Sequence, residues 1–186
     1  HLGVLVGAGT GGTGTGTGTG AAAVTCPTEN TGANINNFRG ISPGVAAGSQ
    51  PTLDGYKALA AQGYKTIIDV QGCDNSAAVQ AAGMTYKSIP YDGGNGNAPS
   101  DKWIIEVMAA MKDTSAENKA YIHCQYGVHR TGIAVAIYKE QYAEPKWCYN
   151  QVSAELVQQW TTSPFPGTQE EKTAVFDTIK KYATCH

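Results

Sequence analysis

The segment from Asn118 to Glu140, NKAYIHCQYGVHRTGIAVAIYKE, constrains the fold more than any other stretch of the chain. It contains a short apolar run, KAYIHC, with the length of a buried strand, and a longer amphipathic stretch, RTGIAVAIYKEQY, with the length of a helix. Only the five residues between Cys124 and Arg130 connect the two. A strand that passes through so short a loop into a helix is typical of α/β folds, whose ligands bind at the carboxyl ends of the strands.

The rest of the chain alternates in the same way. The segment NFRGISPG is predicted to be a short extended piece that ends in a Pro-Gly turn, and KTIIDVQG and MTYKSIPYD are predicted strands. TLDGYKALAAQG, NSAAVQAAG and DKWIIEVMAAMKD are predicted helices; Thr52 and Ser100 are candidate N-caps, and Gly63 is a stop signal. The helical stretches KWCYNQVSAELVQQW and GTQEEKTAVFDTIKKYA follow Tyr142. This order predicts an α/β fold with a mainly parallel central sheet flanked by helices.

Length and charge limit the possible classes of protein. The chain has 186 residues, the size of one globular domain, and its net charge of -2 argues against a nucleic-acid binder. No apolar run approaches the ~18 residues of a transmembrane helix. The Gly/Thr repeat GAGTGGTGTGTGTG predicts a flexible segment over residues 1–24 and one folded domain over residues 25–186. The repeat matches G-x-G-x-x-G, but it lacks the flanking strand and helix of a dinucleotide site.

The chain has five cysteines, and none are spaced as C-x-x-C, which argues against a zinc ribbon or a thioredoxin-type motif. An odd number suits an exported protein, periplasmic or secreted, with two disulfides and one free thiol; a cytoplasmic protein with reduced cysteines is the alternative. The four cysteines other than Cys124 allow three pairings. Cys26 with Cys73 and Cys148 with Cys185 is one of them, and the sequence leaves the choice open.

The loop after Cys124 has the composition of an anion site. If Arg130 opens a helix, the amides of residues 125–129 can point into one concavity, and such a nest at a helix N-terminus binds phosphate. The planar guanidinium of Arg130 can hold two phosphate oxygens at once. The same field favours the thiolate form of Cys124. Gly127 permits the backbone angles of a tight loop, and Gly132 permits close approach of the helix.

The stretch HCQYGVHRTG, with the spacing C-x5-R-[ST], resembles the signature of the cysteine-dependent protein tyrosine phosphatase superfamily. A weaker resemblance covers about Asn37 to Trp160, where FRGISPG and LDGYKALAAQGYKTIIDVQG are similar to the opening of compact dual-specificity phosphatases and of tyrosine-phosphatase-like phytases. Rhodanese-type sulfurtransferases have a loop one residue shorter, and low-molecular-weight phosphatases carry theirs near the N-terminus. Both fit less well.

The resemblance implies a role for each residue of this stretch. Cys124 would attack phosphorus and form a phosphocysteine, and Arg130 with the loop amides would stabilise the transition state. Thr131 would donate a hydrogen bond to the sulfur and help it leave. His123 would orient the loop, with a plain core histidine as the alternative. The substrate-binding amides would belong to Gln125, Tyr126, Gly127, Val128 and His129, beside the Arg130 side chain.

The superfamily also uses an aspartic acid on a mobile loop some thirty residues before the cysteine. Asp92 lies 32 positions upstream of Cys124, at the start of the glycine-rich segment DGGNGN, and is the predicted general acid. Asp101 is the second choice, although an acid there also suits a helix N-terminus. Asp69 and Asp74 are predicted to be structural.

Three residues carry open alternatives. Tyr126 could stack on a substrate ring or simply pack the loop. His129 could supply a pH-dependent positive charge. Arg39 could bind a second substrate phosphate or form a partly buried ion pair.

These features predict a monomeric phosphomonoesterase that needs no metal or cofactor. The resemblance to phytases, the compact chain and the expected export favour inositol polyphosphates as substrates, although the chain has only two arginines for several phosphates. A dual-specificity or tyrosine phosphatase acting on phosphoproteins is the alternative. A catalytically silent phosphate-binding module is a remote one, because Cys124, Arg130 and a candidate acid are all present.

Overall fold

The structure is a computed structural model that describes residues 24–94 and 96–186. All of the predicted flexible segment except Val24 therefore lies outside the described residues. The strands are β1 (Arg39–Ser42), β2 (Val45–Gly48), β3 (Tyr64–Asp69), β4 (Thr85–Ser88) and β5 (Lys119–His123). The helices are α1 (Leu53–Ala61), α2 (Ser76–Ala81), α3 (Asp101–Lys112), α4 (Arg130–Gln141), α5 (Tyr149–Thr162) and α6 (Gln169–Tyr182).

The strands form one sheet in the order β1-β2-β5-β3-β4. The β1–β2 pair is antiparallel, and the other three pairs are parallel, which confirms the predicted mainly parallel sheet. In the register of the sheet, His123 at the end of β5 lies between Gly48 of β2 and Asp69 of β3. The residues that follow these three strands therefore meet at one edge.

Helices cover both faces of the sheet, as an α/β fold requires. Neighbouring residues of β5 point to opposite faces, which is the period of a strand. Tyr121 packs with Tyr56 and Leu59 of α1, whereas Ile122 belongs to the larger core formed with α3, α4, α5 and α6. Because α4 is enclosed in that larger core, the loop in front of it rests on a rigid support.

The predicted helix signals are confirmed. The Thr52 hydroxyl accepts a hydrogen bond from the Gly55 amide, and the Ser100 hydroxyl accepts one from the Trp103 amide. Gly63, one residue beyond the C-cap of α1, has φ +91°, a conformation that favours glycine. Strand β2, with the sequence VAAG, was not predicted, because alanine and glycine have low β propensity.

The structure contains the disulfides Cys26–Cys73 and Cys148–Cys185, with Cα–Cα distances of 5.8 and 4.7 Å. This is one of the three pairings that the sequence left open. Cys124 is free. Over the described residues, no helix has the length and apolar character needed to cross a membrane.

Candidate active site

In the loop between β5 and α4, the carbonyl groups of Gln125 and Tyr126 accept hydrogen bonds from donors outside the loop. The Gln125 carbonyl accepts a hydrogen bond of 2.9 Å from the Gln50 amide, which follows β2. The Tyr126 carbonyl accepts one of 3.0 Å from the side-chain amide of Asn37, just before β1. Both donors belong to the N-terminal part of the domain.

The next two carbonyls are held in the same manner. The Gly127 carbonyl accepts a hydrogen bond of 3.0 Å from Nη2 of Arg39. The Val128 carbonyl accepts one of 3.3 Å from Nε1 of Trp160, on α5. Four consecutive carbonyls of the loop are thus bound by donors outside it. We call these donor residues (Asn37, Arg39, Gln50 and Trp160) the outer ring.

The outer ring determines where the loop amides point. The carbonyl of one residue and the amide N–H of the next belong to one planar trans peptide group and point in opposite directions within its plane. Outward carbonyls at residues 125–128 therefore direct the amides of residues 126–129 towards the inside of the loop. One of these amides, that of Gly127, lies 3.3 Å from the Cys124 sulfur and donates to it. The result is a cup lined by amide groups. We call these amides, with Cys124 and Arg130, the phosphate cup after the ligand that the sequence predicts.

Cys124 lies at the floor of this cup, directly after β5, and only 2% of its surface is exposed. Arg130 is the first residue of α4, and its Nη1 donates a hydrogen bond of 2.8 Å to the Gln71 carbonyl, in the loop after β3. That bond orients the guanidinium at the rim of the cup. The predicted nucleophile, amides and guanidinium are therefore brought together.

A cavity of about 450 Å³ opens above the cup. Arg130 and His129 line this cavity together with Tyr91, on the segment that follows β4. A further wall comes from the connection between α5 and α6, whose place at this cavity no sequence pattern predicts. The lining residues are Tyr91, Gly94, Gly96, Gln125, Tyr126, His129, Arg130, Ile133, Ser163, Pro164, Phe165 and Pro166.

Comparison with known proteins agrees with this geometry. The family described as "DSP-PTPase phosphatase fused to NAD+ Kinase" matches residues 30–174, which include the whole cup. The chain belongs to this phosphatase family. It is accordingly a cysteine-dependent phosphatase of the dual-specificity type, and the predicted superfamily is confirmed. A comparison with curated proteins finds no match.

Solved structures share the fold of this phosphatase. The core catalytic domain of the PP-IP phosphatase Siw14 from S. cerevisiae has a TM-score of 0.62 at 16% identity, over 81% of this chain and 93% of Siw14. TpbA from P. aeruginosa, in a complex with pTyr, has a TM-score of 0.59 at 17% identity, over 82% of this chain and 93% of TpbA. At these identities the likeness establishes the fold.

His123 lies completely buried beneath the phosphate cup of the phosphatase. Its Nδ1 donates to the Cys124 carbonyl at 3.1 Å, and its Nε2 accepts from the Tyr56 hydroxyl at 2.8 Å. Burial lowers the pKa of His123, so the ring is neutral at neutral pH, as this hydrogen-bond pattern requires. The contacts suit the orienting role that was predicted for this residue.

Asp69 belongs to a buried polar network on the same edge of the sheet. Its carboxylate accepts hydrogen bonds from the Gln71 amide at 2.9 Å, from Asn75 at 2.7 Å and from the Tyr86 hydroxyl at 2.8 Å. Asn75 also contacts the Gln50 side chain. Asp69 thus fixes the position of Gln71, whose carbonyl orients the Arg130 guanidinium, and this arrangement accords with the structural role expected of Asp69.

Asp92 lies on the segment that borders the cavity, but its carboxylate faces elsewhere. It accepts hydrogen bonds from the amide of Ser100, at 2.9 Å, and from the Ser100 hydroxyl. Asp92 is not among the residues that line the cavity. The structure therefore places the predicted acid near the cup without bringing its carboxylate into it.

Asp101, the second choice of acid, is directed away from the site. Its carboxylate binds Lys181 at 3.0 Å and the Tyr182 hydroxyl at 2.5 Å, both on α6. Hydrogen bonds from Tyr182 and Lys181 lower the pKa of Asp101. Asp74 accepts a hydrogen bond from the Ser76 amide, at the start of α2.

Thr131 and His129 differ from expectation in their contacts. The Thr131 hydroxyl is buried and has no hydrogen-bond partner among the described residues, so the predicted bond to the Cys124 sulfur is not formed. His129 donates from Nε2 to the Ser163 carbonyl at 2.8 Å. Burial lowers the pKa of His129, so the predicted pH-dependent positive charge is displaced to more acidic pH.

Proposed function

We propose that this phosphatase hydrolyses phosphate monoesters through a phosphocysteine formed on Cys124. The observation that carries the proposal is the convergence of inward amides, a free buried thiol and the Arg130 guanidinium in one cup. The thiolate attacks phosphorus, a sulfur–phosphorus bond forms, and the ester oxygen leaves. The amides and Arg130 stabilise the charge on the equatorial oxygens.

In this proposal, Asp92 supplies the proton that the leaving oxygen takes up. Its carboxyl group has to turn from Ser100 towards the cavity, and the glycines at positions 93, 94 and 96 give the segment that freedom. A water molecule then attacks phosphorus and gives its proton to Asp92. The Cys124 sulfur leaves as the thiolate, assisted by the unpartnered hydroxyl of Thr131.

The lining of the cavity favours a substrate with one phosphate and a flat apolar group. Tyr91, Tyr126 and Phe165 supply aromatic walls, and among the described lining residues Arg130 is the single side chain that is always charged. A polyphosphate needs several cations. The pTyr complex of TpbA also supports an aryl phosphate such as phosphotyrosine.

Inositol polyphosphates, the substrates expected from the sequence, are the second candidate. The fold of Siw14, described as a PP-IP phosphatase, is as similar to this chain as that of TpbA, and this similarity supports the candidate. Competition kinetics between a phosphotyrosine peptide and myo-inositol hexakisphosphate would decide. We expect the peptide to be preferred at least about tenfold in kcat/KM, and the opposite preference would select the inositol ester.

The chemistry is tested with p-nitrophenyl phosphate. We expect turnover by the wild-type protein, resistance to a metal chelator, and loss of turnover in Cys124→Ser. A denatured, quenched sample should contain a phosphocysteine. Phosphate binding without turnover would favour the silent module, and full activity of Cys124→Ser would overturn the phosphocysteine route.

An unchanged rate of alkyl phosphate hydrolysis in Asp92→Asn would assign the acid role to another residue.

We also propose that residues 25–186 are one exported phosphatase domain. The two disulfides support export, because such bonds persist in oxidising compartments. Thiol titration of the denatured protein from its native compartment is expected to find one reactive thiol. Five thiols would place the protein in a reducing compartment.

A further inference from the structure

Arg39 makes two hydrogen bonds, and both go to backbone carbonyls. Its Nη1 contacts the Asn37 carbonyl and its Nη2 the Gly127 carbonyl, each at 3.0 Å. Within the described part of the chain, no carboxylate forms a salt bridge with it. Glu155 attracts the charge from a distance, but both of its oxygens bind Lys139 at 2.7 and 2.8 Å. The predicted ion pair is therefore not formed, and Arg39 is not among the residues that line the cavity.

This arrangement is costly for a guanidinium. Burial lowers the pKa of Arg39, and its Nε is shielded from solvent with no hydrogen-bond partner among the described residues. A cation removed from water without a paired anion loses hydration that neutral carbonyls replace only in part. The position is explained if the charge acts on the loop that it contacts.

The contact with Gly127 reaches the phosphate cup through a single peptide group. A charged donor on the Gly127 carbonyl polarises that peptide, and its other end is the Val128 amide, which points into the cup. Arg39 therefore acts on the anion site from behind the loop.

We infer that Arg39 is a positioning residue for phosphate, which fixes and polarises the Gly127–Val128 peptide so that its amide binds an oxyanion in the cup. This inference rests on the proposed function of the cup as a phosphate site. Asn37 donates to the neighbouring Tyr126 carbonyl in the same way, but its side-chain amide carries no charge. Comparison of the two residues separates the effect of charge from that of a simple anchor.

The test is the affinity of the full chain for tungstate, a tetrahedral oxyanion, measured by calorimetry, together with kcat and KM for p-nitrophenyl phosphate. We expect Arg39→Met to weaken tungstate binding and to lower kcat, each by about tenfold to a hundredfold. This is the range for loss of a charged hydrogen bond. Arg39→Lys keeps the charge on a smaller donor and is expected to recover part of both.

The control is Asn37→Gly. Asn37 has φ +58°, which glycine adopts freely, so the variant removes only the neutral donor. We expect a loss of tungstate affinity of less than about fivefold. Wild-type tungstate affinity and kcat in folded Arg39→Met would overturn the inference, as would equal losses in Asn37→Gly. If Arg39→Met does not fold, Arg39→Gln takes its place, because its side-chain amide keeps a neutral donor; wild-type tungstate affinity and kcat in folded Arg39→Gln would overturn the inference.

Binding and turnover distinguish this inference from the proposed function. Tungstate binding requires the cup but no chemistry. A wild-type protein that binds tungstate without hydrolysing esters would overturn the proposed function, whereas the Arg39 comparison would still decide the inference. A wild-type protein that does not bind tungstate would overturn both.

Discussion

Gly127, in the loop between β5 and α4, packs directly against the end of β2. It has φ +75°, and a Cβ atom there would overlap the carbonyl group of Gly48. We expect Gly127→Ala to lower kcat/KM for p-nitrophenyl phosphate at least about 100-fold, because the displaced loop no longer aims its amides at one point. Steady-state kinetics on the folded variant measure the effect.

The control for this prediction is Gly83→Ala. Gly83 also has a positive φ, +81°, but no atom lies within 4 Å of the position of its Cβ. It should lose about 1 kcal/mol of stability and no activity. Equal activities of the two alanine variants would show that contact with β2 does not hold the loop.

Glu140 is fully buried on α4, and neither carboxylate oxygen has a partner among the described residues. Burial raises its pKa from 4.5 to about 8. Between these values the unfolded chain releases a proton that the folded chain retains, so the free energy of unfolding falls as pH rises through this window. We expect Glu140→Gln to remove this fall and to be more stable than wild type by roughly 2–4 kcal/mol near pH 8.

Urea denaturation between about pH 5 and pH 8 measures this effect. The exposed neighbour Glu144 provides the matched control, because Glu144→Gln should leave the curve unchanged. Parallel curves for wild type and Glu140→Gln would mean that the buried carboxyl group does not retain its proton.

The residues of the cup could be identified from the sequence, whereas their supports could not. Cys124, Arg130 and Gly127 lie in one strand–loop–helix segment, where local geometry decides their placement. The outer ring lies between 32 and 89 positions from its acceptors in the loop. Contacts between residues so far apart in the sequence follow from the packing of the whole sheet, and no local sequence pattern predicts them.

At the scale of elements, the connection between α5 and α6 supplies an aromatic wall. Phe165 lines the cavity and packs on Trp160 with ring centroids 4.9 Å apart. We expect Phe165→Ala to raise KM for p-nitrophenyl phosphate about threefold to tenfold, the cost of one lost aromatic contact. Inhibition by inorganic phosphate, which occupies the cup alone, should stay the same.

Phe176 provides the control, because it packs on the same Trp160 at 5.4 Å but does not line the cavity. Phe176→Ala should leave KM unchanged. If both variants raise KM equally, the wall acts through Trp160 and not by contact with substrate.

Elements with long apolar patterns and capping residues were predictable, but β2 and the position of the Asp92 carboxylate were not. Strand β2 consists of a valine, two alanines and a glycine, which carry no strand pattern. The glycine, Gly48, is nevertheless required in the folded protein, because a Cβ there would lie 2.6 Å from the Tyr121 hydroxyl. Ser100 was identified as a helix cap. The same hydroxyl also binds Asp92, a second use that its spacing from the helix does not reveal.

At the scale of the molecule, the two disulfides are expected to differ in effect. Cys73 lies between Gln71, whose carbonyl holds Arg130, and Asn75 of the buried network. Replacement of Cys26 and Cys73 by serine should lower both stability, by about 2–4 kcal/mol, and kcat. Denaturation and steady-state kinetics measure the two effects.

Serine at Cys148 and Cys185 gives the matched control, because this bridge ties α5 to the end of the chain, away from the cavity. It should lower stability by a similar amount and leave kcat unchanged. Equal losses of kcat in the two double variants would show that the first bridge does not support the guanidinium.

The outer ring takes its members from the start of the domain and from α5 near its end. We therefore expect the thiol to become reactive only after α5, which carries Trp160, has left the ribosome. Transfer of HCQYGVHRTG into the strand–helix junction of an unrelated protein would likewise yield an inert sulfhydryl. The donors that hold the carbonyl groups of the loop would be missing there.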